Sequence, residues 1–181
     1  MPLTLILGPM KSGKSLELIQ RFAPLSYTHI PFALYQSTRN VRDKQITSRN
    51  GIFMNATKVP RIPEITPAQY RIIGIDEIHM FPPEDVHTIR RLLQNDIKVI
   101  ISGLDTDYQG KMFDIIRGLF ELGPQEVVYK RAVCEICRAP KAVYSQVLHQ
   151  EVPLTKGMPL VIPDDGAFTY QSVCRDCFVR E

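Results

Sequence analysis

The first fifteen residues constrain the fold most strongly: the apolar run Leu3-Thr4-Leu5-Ile6-Leu7 passes directly into Gly8-Pro9-Met10-Lys11-Ser12-Gly13-Lys14-Ser15. A short apolar run predicts a buried strand. Glycines at both ends of the following turn let the backbone curl until successive N–H groups point inward, where they can meet the β- and γ-phosphate oxygens of a nucleoside triphosphate. Lys14 adds a point charge, and the Ser15 hydroxyl suits a magnesium ion. Residues 15–22 then predict a helix whose N-terminal dipole also favours phosphate, and Pro24 ends it. The same G-x-x-x-x-G-K-S pattern can arise by chance in an ordinary turn. A strand before it and a helix after it are the context that selects the phosphate cradle.

Further along, Phe32-Ala33-Leu34-Tyr35 predicts a second strand. Polar residues 36–51 and the proline-punctuated stretch 57–69 predict loops around the short segment Ile52-Phe53-Met54. Residues 70–75 read as a strand running into Asp76-Glu77. After Pro82-Pro83, the helical spacing of Val86, Ile89, Leu92 and Leu93 precedes another buried strand at 98–103. Apolar strands alternating with helices predict an α/β fold, a mainly parallel sheet covered on both faces.

Asp76 and Glu77 should emerge at the C-terminal edge of their strand, where open α/β sheets bind ligands. Asp76 suits a magnesium role behind the phosphates, and Glu77 could accept the proton of a hydroxyl attacking the γ-phosphorus. An acidic turn before Pro82 is the plain alternative.

All four cysteines fall in two C-x-x-C pairs, Cys134/Cys137 and Cys174/Cys177. Four thiolates can complete a tetrahedral zinc site that cross-links a lobe too small for a large core of its own. Two disulfides are the competing reading, which a reducing compartment disfavours. With 181 residues, 44% of them apolar, the chain can bury one substantial core and a small appendage. We therefore expect a nucleotide-binding domain over residues 1–129 and a zinc-binding lobe over 130–181. A balance of 22 basic against 19 acidic residues, without a basic stripe, does not suggest a nucleic-acid surface. No apolar stretch has transmembrane length and no signal-peptide pattern opens the chain, so a cytoplasmic location is expected.

Taken together, these features closely resemble the type II thymidine kinases, the zinc-containing family that phosphorylates thymidine with ATP. The resemblance spans the phosphate loop at 8–15, Ile75-Asp76-Glu77, Gly103-Leu104-Asp105-Thr106-Asp107-Tyr108 with Phe113, Ala132-Val133-Cys134, and Tyr170-Gln171-Ser172-Val173-Cys174-Arg175-Asp176-Cys177. It implies Glu77 as catalytic base, with Lys14 and Arg42 stabilising the transferring phosphoryl group. It implies ATP and Mg²⁺ contacts from Gly8, Pro9, Met10, Lys11, Ser12, Gly13, Lys14, Ser15, Asp76, Glu77, Ile78 and His79. Met10, Phe81, Leu104, Tyr108 and Phe113 would line the thymidine pocket, closed by a lasso-like loop over roughly 145–173 that brings Val161, Ile162 and Tyr170 to the base. Structural Zn²⁺ on Cys134, Cys137, Cys174 and Cys177, a homo-oligomer (usually a tetramer) and feedback inhibition by thymidine triphosphate are also implied.

The chain departs from the family pattern at several places. His79-Met80 stands where Gln-Phe is usual, leaving Phe81 of an aromatic pair. Asn40-Val41-Arg42 replaces Asp-x-Arg, Val147 replaces an arginine, Lys11 replaces an aromatic residue, and Pro163 to Thr169 replace a shorter Gly-Gly turn. A regulatory nucleotide-binding protein on the same fold is the second reading these changes leave open. A zinc-ribbon nucleic-acid module with an ATPase motor is disfavoured by the missing basic stripe.

Overall fold

Alternation along β1 (Leu3–Leu7) divides the main body into two buried faces. In a computed structural model, which describes residues 2–41, 44–161 and 167–180, β1 joins β2 (Phe32–Ser37), β5 (Thr57–Val59), β6 (Ile72–Asp76), β7 (Lys98–Gly103) and β8 (Glu126–Tyr129). The order is β5-β2-β6-β7-β1-β8 and every pairing is parallel. Parallel neighbours require crossovers, and α1 (Lys14–Phe22), α2 (Asp85–Gln94) and α3 (Asp114–Glu121) supply three of them. This is the α/β sheet that the strand-helix alternation predicts.

Leu3, Leu5 and Leu7 point to the face where Ile73, Ile75, Val99 and Ile101 meet Ile89 and Leu92 of α2 and Ile116 and Leu119 of α3. Ile6, Leu34 and Ile100 point the other way, against Leu18, Ile19 and Phe22 of α1. Phe22 has no exposed surface, so truncation to Ala would cost about 3–5 kcal/mol. At the same helix, Arg21 bridges Glu17, four residues earlier, and Glu126 on β8, at 3.1 and 2.6 Å.

The sheet is wider than the sequence reading expects. Thr57–Val59 lies in a stretch read as loop, yet it pairs with Tyr35–Ser37 as the edge strand β5. Three residues are too few to show a period, and Pro60 is compatible with a strand that needs partners on one side only. The polar stretch 36–51 holds β3 (Ile46–Thr47), which pairs antiparallel with β4 (Phe53–Met54) in the short segment after it. After β5, the backbone is pinned to α2: Ile62 N–H and Arg61 Nε donate to the two oxygens of buried Asp85 at 2.9 and 2.5 Å.

In the C-terminal lobe, β9 (Tyr144–His149) pairs antiparallel with β10 (Val152–Pro153) and β11 (Thr169–Val173). The stretch expected to form the lasso thus stands on two paired strands. Cys134, Ala142, Val173 and Phe178 form the small core beneath it, and Phe178 stacks on Tyr144 at 4.4 Å. Among the described residues, no helix is long and apolar enough to cross a membrane.

Candidate active site

Three strand ends, those of β1, β6 and β7, deliver the chemistry to one edge of the sheet. The loop after β1 turns at Gly8, with φ of 143°. A Cβ at Gly8 would fall 2.2 Å from the Lys130 carbonyl oxygen, so only glycine fits this approach. Lys11, with φ of 63°, and Gly13, with φ of 84°, complete the curl, and Gly13 caps α1. Lys14 is buried and donates from Nζ to the Pro9 carbonyl at 2.8 Å. Burial pulls its pKa down, against the opposing pull of Glu77, Asp76 and Asp105. Ser12 Oγ is enclosed and has no hydrogen-bond partner among the described residues. A buried hydroxyl without a partner, inside this turn, has the chemistry to meet a ligand oxygen.

Asp76 ends β6, buried beside Lys14, and accepts a hydrogen bond from Ser102 Oγ on β7. Burial first, then the negative charge of Glu77, hold its carboxyl well above the usual range, while Ser102, Lys14 and Ser15 oppose that shift. A buried carboxylate next to the Ser15 hydroxyl is a donor pair that fits a divalent cation. Glu77 follows in the left-handed region at φ of 53°, a conformation that costs a residue with a Cβ about 1–3 kcal/mol. It starts the 3-10 turn Ile78–Met80.

Two cavities meet at Glu77. One is lined by Lys11 to Leu16 of the phosphate loop and helix and by Thr47 to Asn50 of the β3–β4 turn, with Met10 and Glu77 at its border. The other is mainly apolar, with Leu104, Tyr108, Phe113, Val147, Val161 and Tyr170 in its wall, and again with Met10 and Glu77. Met10 is fixed at that border by the antiparallel sheet: its N–H donates to Ser145 Oγ at 2.9 Å, and its carbonyl accepts from Ser172 Oγ at 2.5 Å. The outer wall is held by Tyr108, whose hydroxyl donates to the Met158 carbonyl at 2.8 Å, and by Gln109, which reaches the Thr155 carbonyl at 3.2 Å.

The four cysteine Sγ atoms lie within 4.8 Å of one another, all as free thiols. Tetrahedral Zn–S bonds of about 2.3 Å place sulfurs about 3.8 Å apart. The Cys137 and Cys174 sulfurs are 3.7 Å apart. Donor set and spacing therefore fit one structural zinc, held by Cys134, Cys137, Cys174 and Cys177.

The structure redistributes several predicted site residues. Phe81 is a core residue packed beneath the sheet edge, while its neighbours Met80 and His79 face the apolar cavity instead. Ile78 is fully buried, and His79 lines the apolar cavity rather than the phosphate cavity. Arg42 and Ile162 lie outside the described residues. Local sequence does not single out Arg49, which lines the cavity at the 8–15 loop from the β3–β4 turn and whose charge acts on Lys14. A single arginine in a polar loop carries no local signal. Asp107 has a structural part that its place in the motif does not reveal: its carboxylate accepts from the Gln109 and Lys111 N–H groups at 2.8 and 3.0 Å, shaping the turn that presents Tyr108.

Comparison with known proteins gives a consistent result. Residues 1–178 match the model of the family described as Thymidine kinase. A thymidine kinase of Thermococcus kodakarensis is 33% identical over 96% of this chain and 92% of its own length. One of Mycoplasma mobile is 36% identical over 97% of this chain and 86% of its own length. One of Mesomycoplasma hyopneumoniae is 34% identical, with 95% and 92% covered.

Proposed function

The chain belongs to the thymidine kinase family, and from that premise we propose that it transfers the γ-phosphoryl group of ATP to the 5′-hydroxyl of thymidine, a step of nucleotide salvage. The observation that carries this reading is that Glu77 and Met10 border both cavities. A triphosphate on the 8–15 loop and a nucleoside in the apolar cavity would then meet at one carboxylate.

In this scheme the β- and γ-phosphates lie against the loop N–H groups and the α1 N-terminus. Ser12 Oγ donates to a phosphate oxygen, and Lys14 exchanges the Pro9 carbonyl for the phosphates, where its charge offsets what develops in transfer. Arg49 adds a second cation from the β3–β4 turn, and Arg42 a third by the family resemblance. Glu77 accepts the 5′-hydroxyl proton as that oxygen bonds to the γ-phosphorus and the bond to the β–γ bridging oxygen breaks, leaving ADP. Ser15 and Asp76 would hold Mg²⁺, which neutralises phosphate charge when bound. Thymidine's ring would sit among Leu104, Tyr108, Phe113, Val161 and Tyr170, with backbone groups of the closing loop meeting its acceptor–donor–acceptor edge.

The direct test is ADP release coupled to a reporter, with ATP and Mg²⁺, with and without thymidine, and identification of the product by phosphorus NMR. Thymidine-dependent ADP and thymidine 5′-monophosphate are expected. ADP release that ignores thymidine, or none with any deoxynucleoside, would overturn the reading.

A further inference from the structure

His79 is 6% exposed and lines the mainly apolar cavity, on which Asn40, Glu77, Thr106 and Ser145 also border. Its ring is fixed from several sides. The Leu104 N–H donates to Nδ1 at 3.2 Å, the Phe113 ring packs against it at 5.3 Å between centroids, and a Cβ on Gly103 would come within 3.3 Å of Nδ1. Glu77 Oε2 also lies 3.4 Å from Nδ1.

One nitrogen cannot both accept from Leu104 and carry a proton toward Glu77. Protonating Nδ1 would turn the Leu104 amide, in a residue 8% exposed, against another N–H and leave it orphaned. The neutral ring therefore carries its proton on Nε2. Burial, with Lys14 adding to it, pushes the pKa down to about 3, which keeps the ring uncharged at neutral pH. Nε2 has no hydrogen-bond partner among the described residues, and it is not one of their fully enclosed unpartnered atoms, which are Ser12 Oγ and Gln36 Oε1. A buried imidazole thus offers an unused donor to the cavity.

We propose that His79 Nε2–H donates a hydrogen bond to an oxygen of the bound nucleoside's sugar, so that His79 orients the acceptor end of the substrate. This rests on reading the apolar cavity as the nucleoside site. The sugar is preferred over the base because Nδ1 lies beside the Glu77 carboxylate, the group that meets the 5′-hydroxyl. Nε2 belongs to the same five-membered ring as Nδ1, so the donor stays within one imidazole of the Glu77 carboxylate. His79 is also fixed without help from the substrate, which lowers the ordering cost of the contact.

The test is a set of thermodynamic cycles by calorimetry in the absence of nucleotide. Thymidine, 3′-deoxythymidine, 5′-deoxythymidine and the carbocyclic analogue lacking the ring oxygen are titrated into wild type, His79→Gln and His79→Phe. Wild type should bind one analogue about 3- to 30-fold more weakly than thymidine through loss of this bond, and His79→Phe should abolish that difference. His79→Gln, whose amide can accept from Leu104 and donate to the cavity, should restore it. Affinity for a non-hydrolysable ATP analogue should stay within twofold of wild type in both variants, which also reports a folded phosphate site.

If His79→Phe weakens thymidine but couples to none of the three analogues, the donor reads the base and the proposal is wrong. Unchanged thymidine affinity in His79→Phe, with His79→Gln also unchanged across all analogues, would remove any ligand contact. Should wild type fail to bind thymidine at all, the nucleoside reading of the cavity falls first, so the two failures are separable.

Discussion

Lys11 Nζ lies 2.6 Å from Glu135 Oε2, and this pair joins the phosphate loop to the turn between the first two cysteines. The same glutamate is tied to β11: Oε1 accepts the Ser172 N–H at 2.8 Å, and the Glu135 N–H donates to the Ser172 carbonyl at 2.8 Å. Ser172 then reaches the Met10 carbonyl. The cysteine lobe, the antiparallel sheet and the 8–15 loop are therefore one hydrogen-bonded unit.

Replacing Glu135 with Gln should separate position from stability. The two side chains are about a third exposed, and such pairs are worth about 0.2–1 kcal/mol. The melting temperature should barely move, while the KM for ATP rises about two- to fivefold as the loop loses its anchor. Steady-state kinetics at low and high salt would check this, since added salt should mimic the substitution in wild type. An unchanged KM at low salt would show that the Ser145 and Ser172 bonds to Met10 hold the loop unaided.

Glu77→Gln should lower turnover by about two to four orders of magnitude, the range expected for loss of general-base catalysis. Gln keeps the volume of the side chain, so the ATP-analogue affinity should change little. Rapid-quench measurement of the transfer step is the appropriate readout. A variant retaining more than a tenth of the wild-type rate would remove Glu77 from this role.

The phosphate loop and the cysteine lobe were legible in the sequence because each is specified locally. A strand, a glycine turn and a helix occupy one stretch of 3–22, and each C-x-x-C knuckle needs only two thiols one turn apart. Phe81 and Met80 were not separable in this way. They leave a 3-10 turn, where one residue rotates the side chain by about 120°, so which one faces the core depends on what packs beneath. Phe81 meets the core formed with Leu7 and Ile116, and Met80 is left to the cavity. Arg49 depends on the β3–β4 pairing, two residues on each side, which no periodicity can reveal.

Zinc analysis should return one ion per chain. Cys174→Ser, or a strong chelator, should weaken thymidine binding at temperatures where the parallel sheet remains folded. The reason is spatial: Cys174 directly follows β11, whose partner β9 carries Ser145 and Val147 to the apolar cavity. Far-UV circular dichroism together with thymidine titration would separate the two effects. Metal-free protein with full thymidine affinity and an unchanged melting curve would contradict a structural zinc.

The depressed pKa of His79 has a consequence for stability with a definite sign. Its folded value is pushed down to about 3, below the ordinary histidine value of about 6.5, so between these the unfolded chain binds the extra proton. Stability from this group is therefore present above pH 6.5 and is lost as pH falls toward 3, at up to about 1.4 kcal/mol per pH unit. Urea unfolding between pH 4.5 and 7 should show a shallower dependence in His79→Gln than in wild type. Parallel slopes in the two proteins would mean that the imidazole charges freely in the folded state.

Specificity should follow from the apolar wall. Met10, Leu104, Tyr108, Phe113 and Val147 surround the cavity, and Tyr108 is clamped to the closing segment through Met158. An apolar wall distinguishes ligands that differ by one methyl group by only about 1–3 kcal/mol. Deoxyuridine should consequently be phosphorylated at a reduced rate rather than excluded, while thymidine remains the preferred acceptor. Purine nucleosides should fail, because a segment tied down over one ring leaves no room for two. Comparing kcat/KM for thymidine, deoxyuridine, deoxycytidine and deoxyguanosine decides the matter. A purine ranking first would require the Tyr108–Met158 clamp to open, and would overturn thymidine as the substrate.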